Sequence, residues 1–151
     1  MLRFLSLLCC IVMIFCIVIP VSAAGTDTQM DVVSCQEVDL GNGITAIDVL
    51  TVNTNSRLSE RTAGRTRTIK YGDTTVGVIS IQATFRFTGN SVYVASKSVT
   101  RTDTYEGWTY EQNSFIAAGG SVILDAKLTK LLVFNLPFTL TITCDENGNI
   151  S

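Results

Sequence analysis

Strict alternation of apolar and polar residues is the feature that most constrains how this chain can fold. In residues 138–144, Phe-Thr-Leu-Thr-Ile-Thr-Cys, apolar side chains take every second position and threonines take the rest. Residues 79–88 and 121–128 repeat the pattern. Successive side chains of a strand point to opposite faces, so these segments are predicted to be half-buried β-strands. The predicted inward-facing residues are Ile79, Ile81, Ala83, Phe85, Phe87, Val122, Leu124, Ala126, Leu128, Phe138, Leu140, Ile142 and Cys144.

Short glycine-containing sequences separate the predicted strands. They are Gly41-Asn42-Gly43, Gly72-Asp73, Gly89-Asn90 and Gly119-Gly120. Gly and Asn accept the positive φ that tight hairpin turns require. About eight strands at this spacing predict an all-β fold, a single antiparallel β-sandwich of immunoglobulin-like architecture. For residues 53–65 the pattern leaves a loop, a short helical turn and an edge strand open.

Residues 1–23 have the features of a secretory signal peptide. Arg3 precedes an apolar run from Phe4 to Ile19. Pro20 and a small-residue cleavage site follow it, with cleavage expected after Ala23, or alternatively after Ala24. The run is shorter than the ~20 residues that a membrane-spanning helix needs. We therefore expect a secreted, extracellular protein with one β-sandwich domain over residues 24–151. An uncleaved signal would instead tether the chain to a membrane.

Cys35 and Cys144 are the two cysteines that follow the predicted cleavage site. Cys35 is in phase with Val33, and Cys144 is in phase with Ile142, so both are expected to point inward. Because exported chains retain disulfides, the sequence favours a Cys35–Cys144 bridge over two buried free thiols.

The chain has no histidine, which removes Ser-His-Asp and Cys-His catalysis and the usual zinc sites. Among Asp103, Glu106, Glu111 and Asp125 no pair stands out, and solvated surface charge is the favoured interpretation. All 13 acidic residues and 10 of the 11 basic ones follow residue 23, giving a net charge of −3 there, which argues against a nucleic-acid partner. We predict no catalytic residue, no metal and no cofactor.

An aromatic segment supplies the candidate ligand-binding residues, which are Tyr105, Trp108 and Tyr110. Trp108 and Tyr110 are two residues apart, so on a strand they share a face. Exposed, that face could stack on a sugar ring; buried, it belongs to the core, which is the commoner position for a single Trp in a β-sandwich. We favour the core for Trp108.

Two polar segments also have alternative interpretations. The basic stretch Arg57, Arg61, Arg65, Arg67 and Lys70 is interpreted as a solvated edge strand that resists aggregation, or else as a site for anionic polymers or lipid headgroups. The tail beginning at Asp145 has oxygen side chains at calcium-loop-like spacing but no closing Glu. An Asn-Gly turn is the favoured interpretation there.

Four segments of the carboxyl-terminal half share a Thr- and aromatic-rich pattern: residues 104–110 (TYEGWTY), 115–120 (FIAAGG), 127–131 (KLTKL) and 140–151 (LTITCDENGNIS). Residues 83–92, ATFRFTGNSV, are similar to an ATFxYxGxSV hairpin, with Phe87 where Tyr is common. Together they resemble a group of uncharacterised small secreted β-rich proteins of Gram-positive, clostridia-like gut bacteria. The resemblance implies secretion and a β fold and transfers no catalytic residue.

Three functions are therefore compared. The leading prediction is a non-enzymatic extracellular interaction module, with cell-surface or wall glycans or proteins as partners and membrane contact only through the signal peptide before cleavage. The second is a carbohydrate-binding domain that uses exposed aromatic rings. The third, least favoured, is a carboxylate-based hydrolase.

Overall fold

A computed structural model describes residues 29–53, 58–102, 104–131 and 133–151. The predicted signal peptide and Arg57 lie outside the described residues. Within them the chain forms eight β-strands. The strands are β1 (Met30–Gly41), β2 (Ile44–Asn53), β3 (Glu60–Tyr71), β4 (Thr74–Phe87), β5 (Val92–Arg101), β6 (Trp108–Ala118), β7 (Ser121–Lys130) and β8 (Phe134–Thr143).

The strands form two antiparallel sheets that pack together as a sandwich. One sheet has five strands in the order β1-β2-β3-β4-β5, and the other has three in the order β6-β7-β8. The smaller sheet lies over part of the larger one, with β8 against β3 and both β6 and β7 against β5. The antiparallel sandwich predicted from the alternation is confirmed.

The predicted immunoglobulin-like topology is not confirmed. Every hydrogen-bonded neighbour in both sheets is also a neighbour in sequence, so each sheet is a meander. An immunoglobulin sandwich instead uses Greek-key connections that move the chain between its two sheets. Alternation identifies strands and their buried faces, but it contains no information on which strands pair.

The core lies between the two sheets and is built from the alternating positions. Every residue predicted to point inward from residues 79–87, 122–128 and 138–144 is buried. The largest of these side chains with almost no exposure include Phe85, Leu124 and Ile142. Each contributes about 1.5–3 kcal/mol by burial. The two sheets are therefore held together by the buried apolar side chains at these alternating positions.

The four predicted glycine turns lie where the sequence places them. Gly43, Gly72, Gly89 and Gly119 each have a positive φ, between 56° and 83°. These turns connect β1 to β2, β3 to β4, β4 to β5, and β6 to β7. The strand boundaries around them consequently agree with the sequence prediction.

Candidate functional site

Trp108 is buried at the start of β6. Its side chain is 5% exposed. The indole stacks on Phe134 with ring centroids 5.8 Å apart, and Tyr71 lies 6.3 Å away at a tilted angle. The predicted core position of Trp108 is confirmed, and the enclosed indole offers no open face to a sugar ring.

The other two predicted ligand-binding residues have different surroundings. Tyr110 lies two residues further along β6 and is partly buried, with the Arg101 guanidinium 5.3 Å from its ring centroid. Burial raises the pKa of Tyr110, and the positive charge of Arg101 partly opposes that rise. Tyr105 precedes the strand and is 56% exposed. Tyr105, Trp108 and Tyr110 therefore do not form one exposed surface.

The predicted disulfide is absent from this structure, in which Cys35 and Cys144 are both free thiols. Cys144 is buried, as predicted. Its pKa is raised by burial and, to a smaller extent, by the carboxylate of Asp145. Cys35 is exposed, so the prediction that it points inward is wrong.

The orientation of Cys35 follows from the pairing of β1 with β2. Cys35 lies opposite Val49, which is out of phase with the buried residues Ala46 and Leu50. The residue is therefore on the outer face of the sheet. Its phase with Val33 is uninformative because residues 32–37 are all exposed and a bulge falls between Val32 and Ser34.

The four described members of the basic stretch, Arg61, Arg65, Arg67 and Lys70, lie on β3, between β2 and β4. The prediction of a solvated edge strand is wrong, because β3 is paired on both sides. Arg67 donates from Nε to Asp48 Oδ1 at 2.6 Å, and its guanidinium lies 5.7 Å from the Phe138 ring centroid. The Arg61 guanidinium lies 5.7 Å from the Phe87 ring centroid. These two cations pack on aromatic rings at the margin of the core.

Large apolar side chains are exposed together at one end of the sandwich. Leu131 is 82% exposed and Val133 is 75% exposed, and both lie in the turn between β7 and β8. Tyr71, the last residue of β3, is 40% exposed, and Tyr105 lies in the loop before β6. Leu131, Val133, Tyr71 and Tyr105 form the apolar tip; Leu132 lies outside the described residues.

Contacts beneath the surface place these four residues at the same end. The Tyr71 ring is 5.4 Å from the ring of Phe134, the residue after Val133. The Trp108 backbone N–H donates to the Tyr105 carbonyl at 3.0 Å. Because Trp108 stacks on Phe134, the two tyrosines and the β7–β8 turn surround one aromatic cluster.

Lys130 marks the level at which the paired strands end. It pairs with Phe134 across β7 and β8, so Leu131 and Val133 lie beyond the last paired residues of the hairpin. Its ammonium is 5.5 Å from the Tyr71 ring centroid, a cation–π distance. The apolar tip therefore has an aliphatic outer part with tyrosine and lysine behind it.

Charges of both signs flank the apolar tip. Lys70 and Lys130 contribute positive charges, while Asp73 and Glu106 contribute negative ones from the adjoining turns. These two positive and two negative charges sum to zero, so they do not make the electrostatic potential around the tip strongly positive or strongly negative.

Sequence reasoning missed the apolar tip because its turn contains no turn-forming residue. From Lys130 to Phe134 the sequence is Lys-Leu-Leu-Val-Phe, an uninterrupted apolar run that is typical of a continuing strand. In the structure Leu131 makes the turn with a φ of +48°, which is rare for a bulky residue. β8 begins at Phe134 and includes Pro137, which an edge strand tolerates.

The opposite end of the sandwich has a shallow depression beside the tail. Its volume is about 360 Å³, and its lining is Leu58, Ser59, Phe87, Thr88, Gly89, Glu146 and Asn147. Asp145 Oδ1 accepts the backbone N–H groups of Asn147 and Asn149 at 2.8 Å each. The Asn149 side-chain amide also bonds this carboxylate, and it is the largest cause of the lowered pKa of Asp145. The predicted Asn-Gly turn is thus confirmed.

Of the four acidic residues considered for catalysis, Glu111 and Asp125 have polar partners, and Glu106 is exposed in the loop before β6. Glu111 forms an ion pair with Lys127 at 3.0 Å. Asp125 accepts hydrogen bonds from Thr139 at 2.7 Å and Ser114 at 3.1 Å. Asp103 is not among the described residues. In the described ranges, no group of three acidic or cysteine side chains is placed to hold a metal ion.

No helix within residues 29–151, as far as they are described, is long and apolar enough to cross a membrane. Comparison with protein-family models, with curated proteins and with solved structures finds no match to this chain.

Proposed function

We propose that this chain is a non-enzymatic extracellular interaction module that binds through the apolar tip. The observation that carries the proposal is the joint exposure of Leu131 and Val133 in front of two tyrosines. Full burial of each aliphatic side chain would stabilise a complex by about 1.5–3 kcal/mol. Contiguous apolar surface of this kind marks binding sites on soluble domains.

The surroundings of Glu111 and Asp125 favour binding over hydrolysis. Glu111 is paired with Lys127, and both oxygens of Asp125 accept hydrogen bonds from neighbouring strands. A general acid or base needs a carboxyl group that is free to exchange a proton with substrate. Carboxylates occupied in sheet contacts support a structural role for these residues.

Carbohydrate binding is the second candidate, with a changed set of residues. Tyr71 and Tyr105 are exposed at the apolar tip, whereas Trp108 lies beneath them. Exposed tyrosine rings provide both an apolar face and a hydroxyl, the combination that sugar rings use. Under this alternative the two tyrosines, rather than Leu131 and Val133, would contribute most of the affinity.

A binding panel tests the proposal with defined probes. Residues 24–151 and a Leu131→Ser/Val133→Ser variant are applied to purified peptidoglycan, immobilised wall and host glycans, and phospholipid vesicles. Leu58→Ser is the matched control, because Leu58 is fully exposed at the opposite end. We expect binding to at least one probe that the double variant weakens and the control keeps. Absence of any tip-dependent binding, or turnover of a probe, would refute the proposal.

A further inference from the structure

We infer that the apolar tip docks on the surface of a lipid bilayer, an inference that rests on its proposed function as a contact surface. The aliphatic part of the tip is convex, since Leu131 and Val133 lie beyond the last paired residues of β7 and β8. A protruding apolar turn fits either a complementary cavity or a fluid apolar phase. A bilayer takes such a protrusion without a preformed cavity.

The order of residue types from the tip inward matches the layers of a membrane surface. Leu131 and Val133 are outermost, and a strand rise of about 3.3 Å per residue places them a few ångströms beyond Lys130. With the length of the Leu131 and Val133 side chains added, that reach approaches the ~5–10 Å depth of interfacial insertion. Tyr71 and Tyr105 follow at the level where aromatic residues favour the headgroup region.

Lys130 supplies the charge complementarity. Its ammonium lies 5.5 Å from the Tyr71 ring centroid and 5.7 Å from that of Trp108, behind the exposed Leu131 and Val133. Lysine side chains at such positions place their stems in apolar surroundings and their ammonium groups among phosphates. Asp73 and Glu106 offset much of this attraction, so insertion of the aliphatic side chains, and not net charge, drives the binding.

The same geometry disfavours a second copy of this chain as the occupant. Two convex tips in contact would leave the sides of both turns in water. A bilayer surface satisfies Lys130 and covers Leu131 and Val133 at once.

Co-sedimentation with vesicles tests the inference. Residues 24–151 are mixed with phosphatidylcholine vesicles, alone or with one third phosphatidylglycerol. We expect binding to both compositions with weak dependence on salt. Leu131→Ser/Val133→Ser should lower the partition coefficient about tenfold or more, and Leu58→Ser should leave it unchanged. In a separate Leu131→Trp variant, we expect tryptophan emission to shift to the blue when vesicles are added.

The outcomes separate the bilayer from other partners. Failure to bind either vesicle, or binding that the double variant retains, overturns the inference. If the vesicles fail while a glycan binds in a tip-dependent manner, the proposed function stands and the bilayer is wrong. If no probe binds through the tip, both are wrong. Because both substituted residues are exposed, an unchanged circular dichroism spectrum and melting temperature confirm that the variant is folded.

Discussion

The Asp48–Arg67 ion pair allows a stability prediction that the structure makes quantitative. The two residues face each other across β2 and β3, with Arg67 Nε to Asp48 Oδ1 at 2.6 Å and Nη2 to Oδ2 at 2.5 Å. The Arg67 side chain is only 14% exposed and the Asp48 side chain only 20% exposed. The pair is bidentate, and the Arg67 guanidinium lies over the Phe138 ring. Removing one partner therefore leaves a charge in a poorly hydrated site.

The expected cost follows from that burial. Breaking a fully buried pair costs about 3–5 kcal/mol, whereas exposed pairs contribute about 0.2–1 kcal/mol. Since the Asp48–Arg67 pair is closer to the buried case than to the exposed one, Asp48→Ala should lower the free energy of unfolding by about 2–3 kcal/mol. Asp48→Leu/Arg67→Met leaves no unpaired charge in the site. Its free energy of unfolding should therefore lie within about 1 kcal/mol of the wild-type value.

Urea unfolding of the wild type, Asp48→Leu, Arg67→Met and Asp48→Leu/Arg67→Met forms a double-mutant cycle, and Asp48→Ala is measured beside it. The midpoint should fall for Asp48→Ala without a change in the slope, and the melting temperature should fall by about 10 °C. Glu60→Ala is the matched control, because its partner Arg86, at 3.0 Å, is 55% exposed, so its loss should change stability less than Asp48→Ala does. If the single losses at Asp48 and Arg67 simply add, the two side chains are not coupled and the reasoning fails.

Three further predictions concern single groups. In native residues 24–151, Cys35 should react with Ellman's reagent and Cys144 should react only after unfolding, since one is exposed and the other buried; two native reactive thiols would contradict the burial. Trp108 is the single tryptophan and its buried Nε1–H has no acceptor among the described residues, so its emission should be blue-shifted and weakly quenched by acrylamide, and strong quenching would show an open indole. The pKa of Asp145 is lowered from 3.8, chiefly by the Asn149 side chain, so its contribution to stability is complete above that value and is lost as the pH falls through the lowered pKa. Asp145→Asn should accordingly reduce the acid dependence of the melting temperature, and an unchanged dependence would assign it to other carboxylates.

The buried faces of β4, β7 and β8 could be predicted because each has one face in the core and one in solvent, which imposes a strict alternation. Cys35 could not be placed in the same way. β1 is an edge strand whose residues 32–37 are exposed on both faces, so its sequence carries little phase information. A bulge between Val32 and Ser34 also interrupts the inside–outside alternation along this strand.

The arginines of β3 and the apolar tip show a different limit. Arg61 and Arg67 lie on the core side of a central strand. Arg61 packs on Phe87 of the neighbouring strand β4. Arg67 pairs with Asp48 and packs on Phe138 of the opposite sheet. Such partners are distant in sequence and leave no local signal. The β7–β8 turn is made by Leu131, without Gly, Asn or Pro, so it has no local marker either.

The meander connectivity of both sheets has a consequence for how the chain reaches this structure. Every strand pairs with the strand made immediately before or after it, so each closure spans a short loop and has a small entropic cost. Such local pairing favours rapid folding for an all-β domain. During synthesis, the five strands up to Arg101 can assemble before β6 to β8 emerge. The later hairpins then act as the closing layer, and until they arrive Phe85 and its neighbours on β4 remain open to water.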